Sequence, residues 1–153
     1  MKIHALSIAL VIWAAPALAH DVQAGSLRIS HPWTRPAAAG QNGAGDMVIT
    51  NTGAQADILV SVTAAGARDT TIHQSMMHGD MASMVAVTDG LVIPPGGAVT
   101  LAPGGYHLMF TGLKAKTNPG DTLPATLTFA RAGAVKVTFD VQASSATADH
   151  PRH

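Results

Sequence analysis

Two stretches near the end of the chain set the limits on its fold. Val135, Val137, Phe139 and Val141 alternate with Lys136, Thr138 and Asp140, the period-two pattern of a half-buried strand. Just before them, Leu123, Ala125, Leu127 and Phe129 alternate with Thr126, Thr128 and Ala130, and Arg131-Ala132-Gly133 between the two runs reads as a short hairpin connection. Shorter apolar runs recur upstream at 27–30, 47–51, 58–63, 70–73, 84–87, 98–101 and 106–110. Turn chemistry separates them: Asn51-Thr52-Gly53, Thr88-Asp89-Gly90, Pro94-Pro95-Gly96-Gly97, Pro103-Gly104-Gly105 and Asn118-Pro119-Gly120-Asp121. About eight or nine short strands at this spacing predict an all-β sandwich or barrel.

Composition argues against a helical protein. All nine acidic residues are Asp, and with fifteen Gly and nine Pro the chain favours turns and strands over helix interiors. Nine basic residues balance the nine acidic ones with no basic run, so nucleic acid and anionic membranes are poor partners. The first nineteen residues carry the marks of a signal peptide. Lys2 forms a positive n-region, residues 6–15 an apolar h-region, and Ala17-Leu18-Ala19 a small-x-small cleavage site. Cleavage after Ala19 would leave one exported domain over 20–143, begun by His20, and a small, polar tail over 144–153. In a bacterium the expected location is the periplasm.

An exported chain meets oxidising conditions, and this one has no cysteine. In its place, His73, Met76, Met77, His78, Met81 and Met84 fall within twelve residues, and His107 and Met109 follow after a turn-rich stretch. Imidazole and thioether suit a soft metal, with Cu(I) the first candidate, and thioethers form no disulfides. His107 and Met109 lie two apart on a predicted strand and share a face, with Tyr106, Leu108 and Phe110 on the other face as core. That places the pair on a surface the hydrophobic interior does not need. Met76, Met77, His78 and Met81 sit in a polar stretch read as a Met-rich loop, a source of auxiliary donors. Met47 reads as core filler, and His31, beside Pro32 and Trp33, lies outside the site. His20, His150 and His153 offer nitrogen donors for a second, weaker Cu(II) site.

The motifs resemble those of a known family. His73, ten residues, Met84, then His107-Leu108-Met109 is similar to the His-x10-Met-x21-His-x-Met pattern of periplasmic copper chaperones of the PCu(A)C type. His31-Pro32-Trp33-Thr34-Arg35 resembles the family's His-Pro-Trp-Ala-Arg signature, and residues 103–109 match the segment carrying its second ligand pair. The resemblance covers residues 27–141. It implies a cupredoxin-like Greek-key β-sandwich and a Cu(I) site formed by His73, Met84, His107 and Met109. It also implies delivery of copper to the binuclear centre of cytochrome c oxidase, with that oxidase's copper-accepting subunit or another copper assembly protein as partner. One departure is visible: twenty-two residues separate Met84 from His107. The extra residue is expected in the turn Thr88-Asp89-Gly90, where it leaves both ligands in place.

Other classes fare worse. A blue-copper electron carrier needs a Cys thiolate, which the chain lacks. A copper oxidase could use an N-terminal His20 but would need further histidines beside it. Hydrolytic chemistry has no Gly-x-Ser-x-Gly and no His-Glu-x-x-His motif to rest on. A periplasmic copper storage or resistance protein shares every ligand feature with a chaperone and differs only in having no dedicated oxidase acceptor.

Overall fold

The computed structural model describes residues 21–143. The described residues form eleven strands and no helix. They are β1 (Val22–Ala24), β2 (Leu27–Thr34), β3 (Gly43–Asn51), β4 (Asp57–Thr63), β5 (Ala67–His78), β6 (Met81–Ala86), β7 (Leu91–Ile93), β8 (Ala98–Leu101), β9 (Tyr106–Leu113), β10 (Thr122–Phe129) and β11 (Gly133–Val141). Nine match the predicted runs. The two additions, β1 and β7, are three residues each, too short for a period to show in sequence.

The strands pair in the order β6-β5-β9-β8-β3-β2-β11-β10-β4-β7, with β1 on β2 and a further pairing of β9 with β3. Two contacts are parallel, β11 with β2 and β8 with β9; the rest are antiparallel. One apolar core fills the interior, centred on Ile29, Ile49, Leu59, Leu108, Phe110 and Phe139, all without solvent exposure. Each such side chain contributes about 1.5–3 kcal/mol on burial. Met47 belongs to the core as expected.

The alternation of the last hairpin is realised in register. Leu123 faces Phe139, Ala125 faces Val137 and Leu127 faces Val135 across the β10–β11 ladder, and all six are buried. The turn between them is tied down by buried Asp57, whose carboxylate accepts hydrogen bonds from the Arg131 and Ala132 amides at 2.8 and 3.0 Å. In β3, Gly45 is required by packing: a Cβ there would lie 2.8 Å from the Phe110 ring. Phe110 and Phe139 meet edge to face with centroids 5.3 Å apart, so β3 passes close over an aromatic pair with no room for a side chain.

Residues 74–83 depart from the sequence expectation of a Met-rich loop. They continue β5 and β6 as a regular antiparallel hairpin, with Ser75 opposite Met84, Met77 opposite Ala82 and His78 opposite Met81. Gly79 (φ +63°) and Asp80 close it, a glycine at the first central position that suits a type II′ turn. Beyond Gln74 no register links β5 to β9, and β6 pairs with β5 alone. Both faces of the hairpin end therefore meet water, and a strand with two wet faces has no apolar–polar alternation to read.

Candidate metal centre

Strand register brings the predicted donors onto one face. His73 on β5 lies directly opposite His107 on β9, and Thr71 opposite Met109. Met84 on β6 is opposite Ser75 and so lies diagonal to His73. On the other side of β9, Ala44 of β3 faces Met109. The outward face of the sheet thus carries a His–His pair, with Met84 toward the hairpin and Met109 toward the body. Thr88, Asp89 and Gly90, the expected place of the extra residue, lie between β6 and β7 outside any strand, and Met84 keeps the face of His73.

The two imidazoles are in ring contact, with centroids 5.8 Å apart and planes inclined at 70°. His107 Nδ1 lies 3.2 Å from the Gly105 carbonyl oxygen. A carbonyl only accepts, so Nδ1 carries the proton and Nε2 keeps its lone pair free. His73 Nε2 is 2.9 Å from the Thr71 hydroxyl, while its Nδ1 is buried and has no hydrogen-bond partner. Orienting a ligating imidazole through its second nitrogen is the usual support of a metal-binding histidine. Each ring here has one nitrogen held and one unengaged.

His107 corrects the expectation of an open surface position. Its alternation places it on the outward face, yet it is 6% exposed. A shallow cleft of about 220 Å³ lies against it, lined also by Arg35, Asp46, Ser75, Met84 and Pro103. The cover comes from other strands and from the loop before β9, which the sequence of β9 cannot show. Met84 is 53% exposed at the cleft's edge, and His73 and Met109 are half-buried on the same face without lining the cleft.

Asp46 is the residue that sequence reasoning missed. It is 3% exposed, and neither carboxylate oxygen has a hydrogen-bond partner. Burial pushes its carboxyl above the ordinary carboxylate value, opposed by the positive field of Arg35 and by His107. Arg35 is held over the Trp33 ring, 5.0 Å from its centroid, and Trp33 pairs with Asp46 across β2 and β3. The available signal was an acid within a glycine-rich segment, Gly43-Ala44-Gly45-Asp46, which reads as loop.

The auxiliary donors divide. Alternation puts Met77 on the face of His73 and Met84, whereas Met76, His78 and Met81 occupy the opposite face of the hairpin. His31 stays outside the site: it is exposed, its φ is +51°, and its amide donates to Asp21 Oδ1 at 2.9 Å. His20, His150, His153, the signal segment 1–19 and the tail 144–153 lie outside the described residues. Among the described residues no three His, Cys, Asp or Glu side chains gather as a metal cage.

Comparison with known proteins agrees with this architecture. The model of the family described as "Putative lipoprotein LpqE-like" matches residues 27–141. The putative lipoprotein Lxx21020 of Leifsonia xyli is 34% identical over 108 residues, which cover 70% of this chain and 64% of that protein. Among solved structures, the apo PCuAC domain from PmoF1 is 30% identical with a TM-score of 0.68, covering 81% of this chain and 99% of that domain. The copper-bound PCuAC domain from PmoF2 is 28% identical with a TM-score of 0.66, covering 81% and 98%. The Cu(I) form of DR1885 from Deinococcus radiodurans is 28% identical with a TM-score of 0.59, covering 74% and 78%. Matched from β2 through β11, the chain belongs to the LpqE-like putative lipoprotein family and has the fold of PCuAC domains.

Proposed function

We propose that this protein is an exported copper chaperone without a catalytic step, holding Cu(I) on His73, Met84, His107 and Met109. The observation that carries the reading is the His73–His107 pair: two imidazoles in contact, each with one nitrogen held and the other unengaged, on the face that also bears both methionines. Two imidazoles and two thioethers are neutral donors that favour Cu(I) over Cu(II). The copper-bound and Cu(I) relatives support the choice of metal. The signal-like segment 1–19 and the lipoprotein name of the family support export to the periplasm or cell envelope.

A carrier must also release its ion. Met84 is exposed at the cleft's edge, so an incoming thiolate can replace it without unfolding the site. Thiolate is the stronger Cu(I) donor, and transfer to a dithiolate acceptor is downhill. We assign the binuclear copper centre of cytochrome c oxidase as that acceptor, with a weaker Cu(II) site at His20, His150 and His153. Mixing the Cu(I)-loaded protein with the reduced apo copper domain of the oxidase is expected to move copper to that domain. Copper retained under excess acceptor would make the protein a storage or resistance factor instead.

A further inference from the structure

We propose a second site for a soft monovalent cation on the opposite face of the β5–β6 hairpin, formed by Met76, His78 and Met81. The register fixes the three together. His78 and Met81 are direct cross-strand partners flanking the turn, and Met76, opposite Ser83, lies diagonal to Met81. Directly opposed residues have Cβ atoms about 4.5–5.5 Å apart, and diagonal neighbours, about 7–8 Å apart, remain within reach of long side chains. Methionine has three rotatable bonds before its methyl group, so two sulfurs and one imidazole nitrogen can close on a single ion.

This face is separate from the one that carries His73 and the cleft beside His107. Along β5 the side chains of His73, Ser75 and Met77 point to the cleft's face, while Gln74, Met76 and His78 share the side of buried Ile72. By residue 76 the strand has run past the core, so that side now faces water. Met76 is 39% exposed and Met81 75%. Neither belongs to the core cluster, and exposed thioethers add nothing to packing. What they share with His78 is affinity for Cu(I) and similar ions. The tight turn at Gly79 holds the two strands in register, which spares such a site most of the ordering cost that a loop would carry.

Silver(I), a thiophilic ion with no redox chemistry under these conditions, is the probe, and native mass spectrometry of the full chain counts bound ions. The unmodified protein is expected to bind two. His73→Ala/His107→Ala is expected to keep the hairpin ion, and Met76→Ser/His78→Asn/Met81→Ser to keep the cleft ion, each variant losing one. A triple variant that still binds two ions, or an unmodified chain that binds one, overturns the second site. Retention of both ions by the double variant would instead count against the cleft. A further readout needs no variant: two equivalents of silver should shield Met76 and Met81 from peroxide oxidation, and unchanged oxidation of both residues also overturns the proposal.

Discussion

His73 and His107 stand directly across the β5–β9 ladder with ring centroids 5.8 Å apart, yet they differ in surroundings: His107 is 6% exposed and His73 only half-buried. The pair is therefore asymmetric, one ring being part of the packed body and the other nearer the rim.

That asymmetry separates stability from binding. His107→Ala should destabilise the apo-protein by about 1–3 kcal/mol, because it empties a buried volume. His73→Ala should cost less. Both should weaken Cu(I) binding strongly. Thermal melts of the two apo-variants check the ordering, and equal melting points would contradict it.

Asp46→Asn should act in opposite directions on the empty and loaded forms. The folded state raises the Asp46 carboxyl above its ordinary value, so between that value and the raised one the folded chain binds more protons than the unfolded chain. Ionisation of Asp46 therefore lowers stability as pH rises through this window. The variant removes that penalty: it should be more stable than the parent at neutral pH, and the gain should vanish below about pH 4. Its Cu(I) affinity should fall, because a cation in the cleft favours a nearby carboxylate. Melts across pH and a competitive copper titration read the two effects.

Copper affinity itself should depend on pH. Imidazole must be unprotonated to bind metal, while thioether has no proton to lose. Competition with a Cu(I) chelator should show affinity falling as the solution becomes acidic. A flat profile through the imidazole range would mean that neither His73 nor His107 binds copper.

Gly45→Ala tests the framework beneath the site. The new Cβ would meet the Phe110 ring at 2.8 Å, and such overpacking costs about 1–3 kcal/mol. Because Ala44, Gly45 and Asp46 share β3, the shift should also weaken copper binding. A melt unchanged from the parent would show that Phe110 yields freely.

The shared face of His107 and Met109 was readable because a strand's period is local: two residues apart means one face. The fold class was readable for the same reason, from the alternation at 123–130 and 135–141. The burial of His107 was not, since Arg35 and Asp46, which line the cleft beside it, come from segments far away in the chain. Asp46 was hidden by the glycines before it, of which Gly45 marks a close approach to Phe110 rather than a loop. The hairpin end was hidden because Met76 through Ser83 has solvent on both sides, leaving no contrast between faces. Strand period put His107 and Met109 on one face and the family resemblance added His73 and Met84, but their common surface, and the division of Met77 from Met76, His78 and Met81, required the β5–β6 and β5–β9 registers.

The most direct test of the cleft as the copper centre is nuclear magnetic resonance of the protein during titration with one equivalent of Cu(I) under reducing, oxygen-free conditions. The first equivalent should shift the ring signals of His73 and His107 and the methyl signals of Met84 and Met109 together, leaving Met76 and Met81 in place. Movement of Met76, His78 and Met81 first, with the His73 and His107 rings unshifted, would contradict the assignment.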